Sequence, residues 1–165
     1  MRSPSPLVLS LYPNWNGLGF VVFEKPLTPY DWGVKERRGK EKNRALLAVV
    51  RKLLEIYSPS LVVLEDWTER NVPRSKRIVE LYERIVELCM SMDAPVTWVP
   101  MREVRQVFAA YGAKTKCEIA QLIAERIPAF KGPVPERKPW QPEHPRQALF
   151  DAVALGLTYS QRTQV

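Results

Sequence analysis

The apolar residues of this chain change their period near residue 40, and few folds accommodate that change. Before it, LVLSL at 7–11, LGFVVFE at 18–24 and a shorter run at 30–34 read as strands. The first two are joined by YPNWNG at 12–17, rich in residues that tolerate turn geometry, so the chain opens as an antiparallel meander. After it, Leu46, Leu47, Val49, Val50, Leu53, Leu54 and Tyr57 recur at helical spacing, predicting a helix over 42–57 that Ser58-Pro59 stops. The continuous apolar run at 61–64 suits a central strand buried on both faces. A helix over 76–92 follows, then a strand at 96–99, then helices over 101–110 and 116–127 with Gly112 as a cap between them. A last helix runs from near Pro145 to about 161. The order β-β-β-α-β-α-β-α-α-α predicts an α/β fold. Its five-stranded sheet is mixed, with the first three strands antiparallel, the later ones parallel, and helices flanking it.

No linker or repeat divides residues 1–165, so one domain is expected, interrupted by a proline-rich loop at 128–145 that leaves no room for a regular element. No apolar run approaches the ~20 residues that span a bilayer, and residues 1–11 lack a signal-peptide cleavage pattern. Cys89 and Cys117 form no disulfide framework. A cytoplasmic protein without membrane contact is the expectation. Lys plus Arg number 25 against 18 acids, a formal net charge of +7. A surface with that balance attracts polyanions, nucleic acid first.

Glu65 closes the central strand, where open α/β sheets bind ligands. Asp151 lies in the last helix and approaches Glu65 if that helix crosses the sheet. Two carboxylates in one cleft repel unless a hard cation joins them, and Mg²⁺ or Mn²⁺ is the candidate cofactor. The plainer alternative is a solvated strand-end acid and an acid near a helix start.

Several strings, in order, resemble the RuvC-type Holliday junction resolvases of the RNase H-like superfamily: LVVLE at 61–65, VPMREVRQVF at 99–108, AKTKCEIA at 113–120 and ALFDAVALGLTY at 148–159. The resemblance implies an RNase H-like fold and a metal-dependent endonuclease acting as a homodimer on branched DNA. The helix at 76–92 is a candidate interface. It also implies that Glu65 and Asp151 bind metal, and that Lys114 and Lys116 grip phosphate or stabilise developing charge. Two family ligands are replaced. The aspartate that ends the family's first strand falls on Tyr12, and the ligand three residues before the last aspartate falls on Ala148. Tyrosine is neutral near pH 7 and does not substitute for a carboxylate. Asp66, His144 and Asn14 are the candidates for a rebuilt metal site.

Arg70, Arg74, Lys76 and Arg77 follow Glu65, and Arg102, Arg105, Lys114 and Lys116 lie on the later matching segments, so these are the candidate nucleic-acid contacts. A further cluster runs from Lys35 to Arg44. Among the tryptophans, Trp98 suits the core, whereas Trp15, Trp67 and Trp140 fall in turns or loops. Trp67, two residues after Glu65, is the stacking candidate. Three functions are consistent with the sequence: a nuclease with a remodelled site, an inactive nucleic-acid-binding module, or a protein scaffold that docks partners through its proline-rich loop.

Overall fold

The computed structural model describes residues 6–25, 28–132, 134–135 and 144–162. Three strands, β1 (Val8–Pro13), β2 (Gly17–Lys25) and β3 (Thr28–Glu36), form the meander. Helix α1 (Lys42–Tyr57) leads to β4 (Leu61–Glu65), α2 (Lys76–Ser91) to β5 (Val96–Val99), and α3 (Met101–Ala109), α4 (Lys116–Arg126) and α5 (Gln147–Arg162) complete the fold. The sheet order is β3-β2-β1-β4-β5. β1 pairs antiparallel with β2 and parallel with β4, and β5 extends the parallel half. The expected mixed five-stranded sheet is present.

Strand alternation divides the core into two layers. Leu9, Leu11, Val62 and Leu64 pack with α1 and α2 on one face. Tyr12, Val63 and Val99 pack with α3, α4 and α5 on the other. Glu65 has the parity of Val63, which places a buried carboxylate at the end of β4 on the α5 side. Ser10 shares that face, and its hydroxyl donates to the Ala152 carbonyl at 2.5 Å, tying β1 to α5. Close approach fixes α5 further. A Cβ on Gly19 would lie 2.0 Å from the Ala148 carbonyl oxygen.

The structure adjusts several expectations. β3 is longer than the run at 30–34, because its edge position lets exposed residues continue the ladder. α5 begins at Gln147 rather than near Pro145, so His144 stands outside it and the turn before it is closed by Gln147 N–H donating to the His144 carbonyl. The proline-rich stretch opens with a 3-10 turn at Pro128–Phe130, whose Phe130 is fully buried between Trp32 and Phe150. Proline suits the start of such a turn because its missing N–H is not needed there. The remainder of that loop at 136–143, with Trp140, lies outside the described residues. The apolar face of α2 (Ile78, Leu81, Tyr82, Ile85, Leu88, Cys89) is buried within this chain, so it is core and not a dimer surface. No helix among the described residues is long and apolar enough to cross a membrane.

Candidate functional site

The site forms where β1 and β4 end side by side and α5 crosses them. Tyr12, Glu65 and Asp151 are all buried there, at 2%, 0% and 4% exposure. A carboxylate buried to that degree needs compensating charge. Glu65 receives it from two arginines in the segment between β4 and α2. Arg70 reaches Glu65 Oε2 through Nε at 2.5 Å, and its Nη2 also contacts Oε1 at 3.3 Å. Arg74 Nη2 donates to Oε1 at 2.7 Å, its Nε contacts the same oxygen at 3.3 Å, and the Tyr82 hydroxyl adds a contact at 3.4 Å.

Tyr12 lies close to both carboxylates. Its hydroxyl accepts from Arg70 Nη2 at 2.9 Å, Arg74 lies over its ring at 4.9 Å, and Lys116 Nζ lies 5.7 Å from the ring centre. Burial, then the Asp151 charge, push the Tyr12 phenol above its ordinary value, against the opposing pull of Lys116 and Arg74. It is a neutral group at physiological pH. Asp151 is engaged by Lys116 Nζ at 3.3 Å on Oδ2 and by Gln147 Nε2 at 3.1 Å on Oδ1. Arg74 is held above its ordinary value: burial opposes the charge, but Tyr82, Tyr12 and Glu65 outweigh it.

These residues do not fit a pair of Mg²⁺ or Mn²⁺ ions. Such ions bind carboxylate oxygens directly. Here the oxygens of Glu65 are turned toward guanidinium N–H groups, and those of Asp151 toward an ammonium and an amide. The Tyr12 phenol stands close to both acids. Among the described residues no group of three or more His, Cys, Asp or Glu could hold a metal. Two of the three candidates for a rebuilt site are engaged in local contacts of their own. Asp66 caps the 3-10 turn at Trp67–Glu69, accepting from Thr68 N at 3.1 Å and Thr68 Oγ1 at 2.6 Å. His144 is exposed, and its Nδ1 accepts from Arg146 N at 3.1 Å. Ala148 is fully buried and offers no ligand atom in its side chain. Asn14 lines the mouth of the cleft.

The surrounding cleft has a volume of about 670 Å³, and Arg38, Arg70, Arg74 and Lys116 line it against Glu36. Lys114 is exposed just before α4, and its backbone N–H donates to Glu118. Lys76 and Arg77 open α2 and face a neighbouring groove. Arg102 is drawn to Glu69 at 2.9 Å, and Arg105 is exposed on α3. Trp67 does not present a free face to the cleft. Its ring stacks on Tyr82 at 4.8 Å and meets Trp98 edge-on at 5.1 Å, which pins the loop after β4. Trp15, 70% exposed, is the aromatic that the cleft displays. Gln147 and Tyr82 were not evident as site residues. The spacing of four between Gln147 and Asp151 was the available signal for the first. The second sat within the apolar stripe of α2.

No family model matches the sequence, and no curated protein matches it. Solved structures do match the fold. The chain aligns with RuvC of Thermus thermophilus in complex with Holliday junction substrate at a TM-score of 0.71 and 19% identity, over 96% of this chain and 95% of that one. The yeast mitochondrial Holliday junction resolvase Ydc2 aligns at 0.63 and 13% identity, over 98% of this chain and 81% of that one. The fowlpox virus Holliday junction resolvase aligns at 0.53 and 15% identity, over 95% and 99%. With the order β3-β2-β1-β4-β5 and the flanking helices, the chain therefore has the fold of these Holliday junction resolvases.

Proposed function

We propose that this chain is a nucleic-acid-binding module that recognises branched or structured DNA without cutting it. One observation carries the reading. Where catalysis through metal ions would need oxygen ligands open to a cation, Glu65 is held by Arg70 and Arg74, with Tyr12 beside them. Those cations offset the charge of the buried acid, the part a metal ion would otherwise play. The net charge of +7 and the cation-lined cleft support an anionic ligand. The likeness to a RuvC bound to a Holliday junction supports branched DNA as that ligand. A homodimer would let two copies address a two-fold junction, and sedimentation of the free and DNA-bound protein reports it.

The experiment is a gel assay with a labelled four-way junction, a matched duplex and a single strand. Each is incubated with EDTA, Mg²⁺ or Mn²⁺, and wild type runs beside Asp151→Asn. The expected result is retention of the junction, equal in all three conditions, with every strand intact. Metal-dependent cutting that Asp151→Asn abolishes would sink the reading in favour of a working nuclease. No retention of any probe at low salt would sink it in favour of a protein scaffold.

A further inference from the structure

A second basic hollow lies beside the cleft, and the turn between β1 and β2 separates the two. Its volume is about 730 Å³, and it runs between the starts of α1 and α2. Six cations line it (Lys40, Lys42, Arg44, Lys76, Arg77 and Arg84) against Glu41 and Glu80. Glu80 is already paired with Arg84 at 3.2 Å. Neither helix carries an acid in its first turn, where acids are ordinarily favoured. Six cations against two acids leave an excess of positive charge here, and Arg77 stands close enough to Lys42 and to Arg74 of the cleft for the cations to disfavour one another. Burial and then Arg77 push the Lys42 ammonium below its ordinary value, and burial and then Arg74 do the same to Arg77. An arrangement that raises the energy of its own cations is relieved by an anion that spans them.

The same residues build the wall of the hollow. Arg77 Nη2 donates to the carbonyls of Asn14 at 2.9 Å and Trp15 at 2.6 Å. Its Nη1 donates to Asn43 Oδ1 at 2.7 Å, and Lys42 Nζ donates to the Trp15 carbonyl at 3.2 Å. The backbone of the turn is thus clamped from the groove side. The Trp15 ring, with Lys42 Nζ 5.0 Å from its centre, stays 70% exposed at the rim of the cleft. A large aromatic fixed through its backbone and left bare between two cationic hollows is placed to stack on a base.

Resting on the nucleic-acid reading above, we propose that the groove between α1 and α2 carries the phosphate backbone of one strand and that Trp15 stacks on an unpaired base of it. The ligand is then a strand that leaves a duplex, with its backbone in the groove and its first unpaired base at the rim. The groove supplies affinity without sequence preference, because phosphates are alike and every base has a face to stack. Trp15 supplies discrimination between paired and unpaired DNA, because a base inside a duplex has no face to offer.

The test compares Trp15→Ala, Trp15→Phe, the double variant Lys40→Ala/Lys76→Ala, and Lys52→Ala, an exposed lysine farther along α1. Thermal melts first establish that each is folded. Binding is then measured by fluorescence anisotropy against a matched duplex and a duplex bearing a single-stranded tail, across a salt series. The double variant is expected to flatten the dependence of log K on log salt by about 0.7–0.9 per lysine, with Lys52→Ala unchanged. Trp15→Ala is expected to lose about ten-fold on the tailed probe and little on the duplex, and Trp15→Phe to recover most of that loss. The placement is overturned if wild type binds but the double variant keeps the full slope, or if Lys52→Ala flattens it equally. A loss at Trp15→Ala that is the same on both probes overturns the stacking role. Wild type that binds neither probe overturns the underlying functional reading as well.

Discussion

Tyr12 offers a phenol where a carboxylate would offer metal ligands, and its hydroxyl accepts from Arg70, which also pairs with Glu65. The arginines then become structural. Glu65 is fully buried and the Arg74 side chain is 9% exposed, so the pair is desolvated on both sides. Removing one partner of a buried pair leaves the other uncompensated and typically costs about 3–5 kcal/mol. Arg74→Ala should therefore lower the unfolding free energy read from urea denaturation by about 3–5 kcal/mol, moving the midpoint down with little change in slope. Arg70 is 28% exposed, and its loss leaves Arg74 in place, so Arg70→Ala should cost less, about 1.5–3 kcal/mol. Equal losses for the two would contradict the division of labour the burial implies. The sequence made part of this legible. It put Glu65, Asp151, Arg70, Arg74 and Lys116 in one neighbourhood and marked Tyr12 as the departure. It did not show that Arg70 and Arg74 turn inward to Glu65, because a basic run after a strand has the same spelling whether it faces solvent or a buried acid. It singled out Trp67 for its closeness in sequence to Glu65. Proximity in sequence to Glu65 says nothing of the Tyr82 and Trp98 rings, which come from α2 and β5 and claim the Trp67 ring.

Helix α5 sets the depth of the site, since it carries Asp151 and packs against both β1 and β2. Its approach to the sheet depends on two glycines with different neighbours. A Cβ on Gly19 would meet backbone atoms of Ala148 and Leu149 at 2.0–2.6 Å, and backbone cannot step aside without moving the helix. A Cβ on Gly156 would meet the Phe23 ring at 2.6 Å, a side chain that can rotate in part. Gly19→Ala should cost on the order of 4 kcal/mol or more and lower the yield of folded protein. Gly156→Ala should cost about 1–3 kcal/mol. Calorimetry of both variants checks the order, and a Gly19→Ala protein that melts like wild type would mean that α5 sits farther from β2. The elements themselves were readable from periodicity. The bounds of α1 and β5 agree with the structure because Ser58-Pro59 ends one and Pro100 follows the other. The start of α5 was misplaced because Pro145 is a good first helical residue, yet here it belongs to the preceding turn, where its carbonyl accepts from Ala148 N. The 3-10 turn at Pro128–Phe130 was hidden by the density of prolines that follow it.

A chain whose acids are already paired with its own cations should respond to salt and not to divalent ions as ligands. Any species that binds the folded state alone stabilises it by RT ln(1 + [L]/Kd), which is about 2.7 kcal/mol at a hundred-fold excess over Kd. For a chain in this size class a gain of that kind raises the melting temperature by roughly 2–4 °C for each kcal/mol. Arg70 and Arg74 would have to leave Glu65 before an ion could take its oxygens, and Lys116 and Gln147 would have to leave Asp151. Millimolar Mg²⁺ or Mn²⁺, compared with EDTA at matched ionic strength, should therefore leave the melting temperature within about 1 °C, far below that gain. A four-way junction should raise it, and the rise should shrink as salt increases, because the ligand competes with free ions for the same cations. A clear rise with Mn²⁺ alone, lost in Asp151→Asn, would show that the acids release their cations to a metal and would return the site to nuclease chemistry.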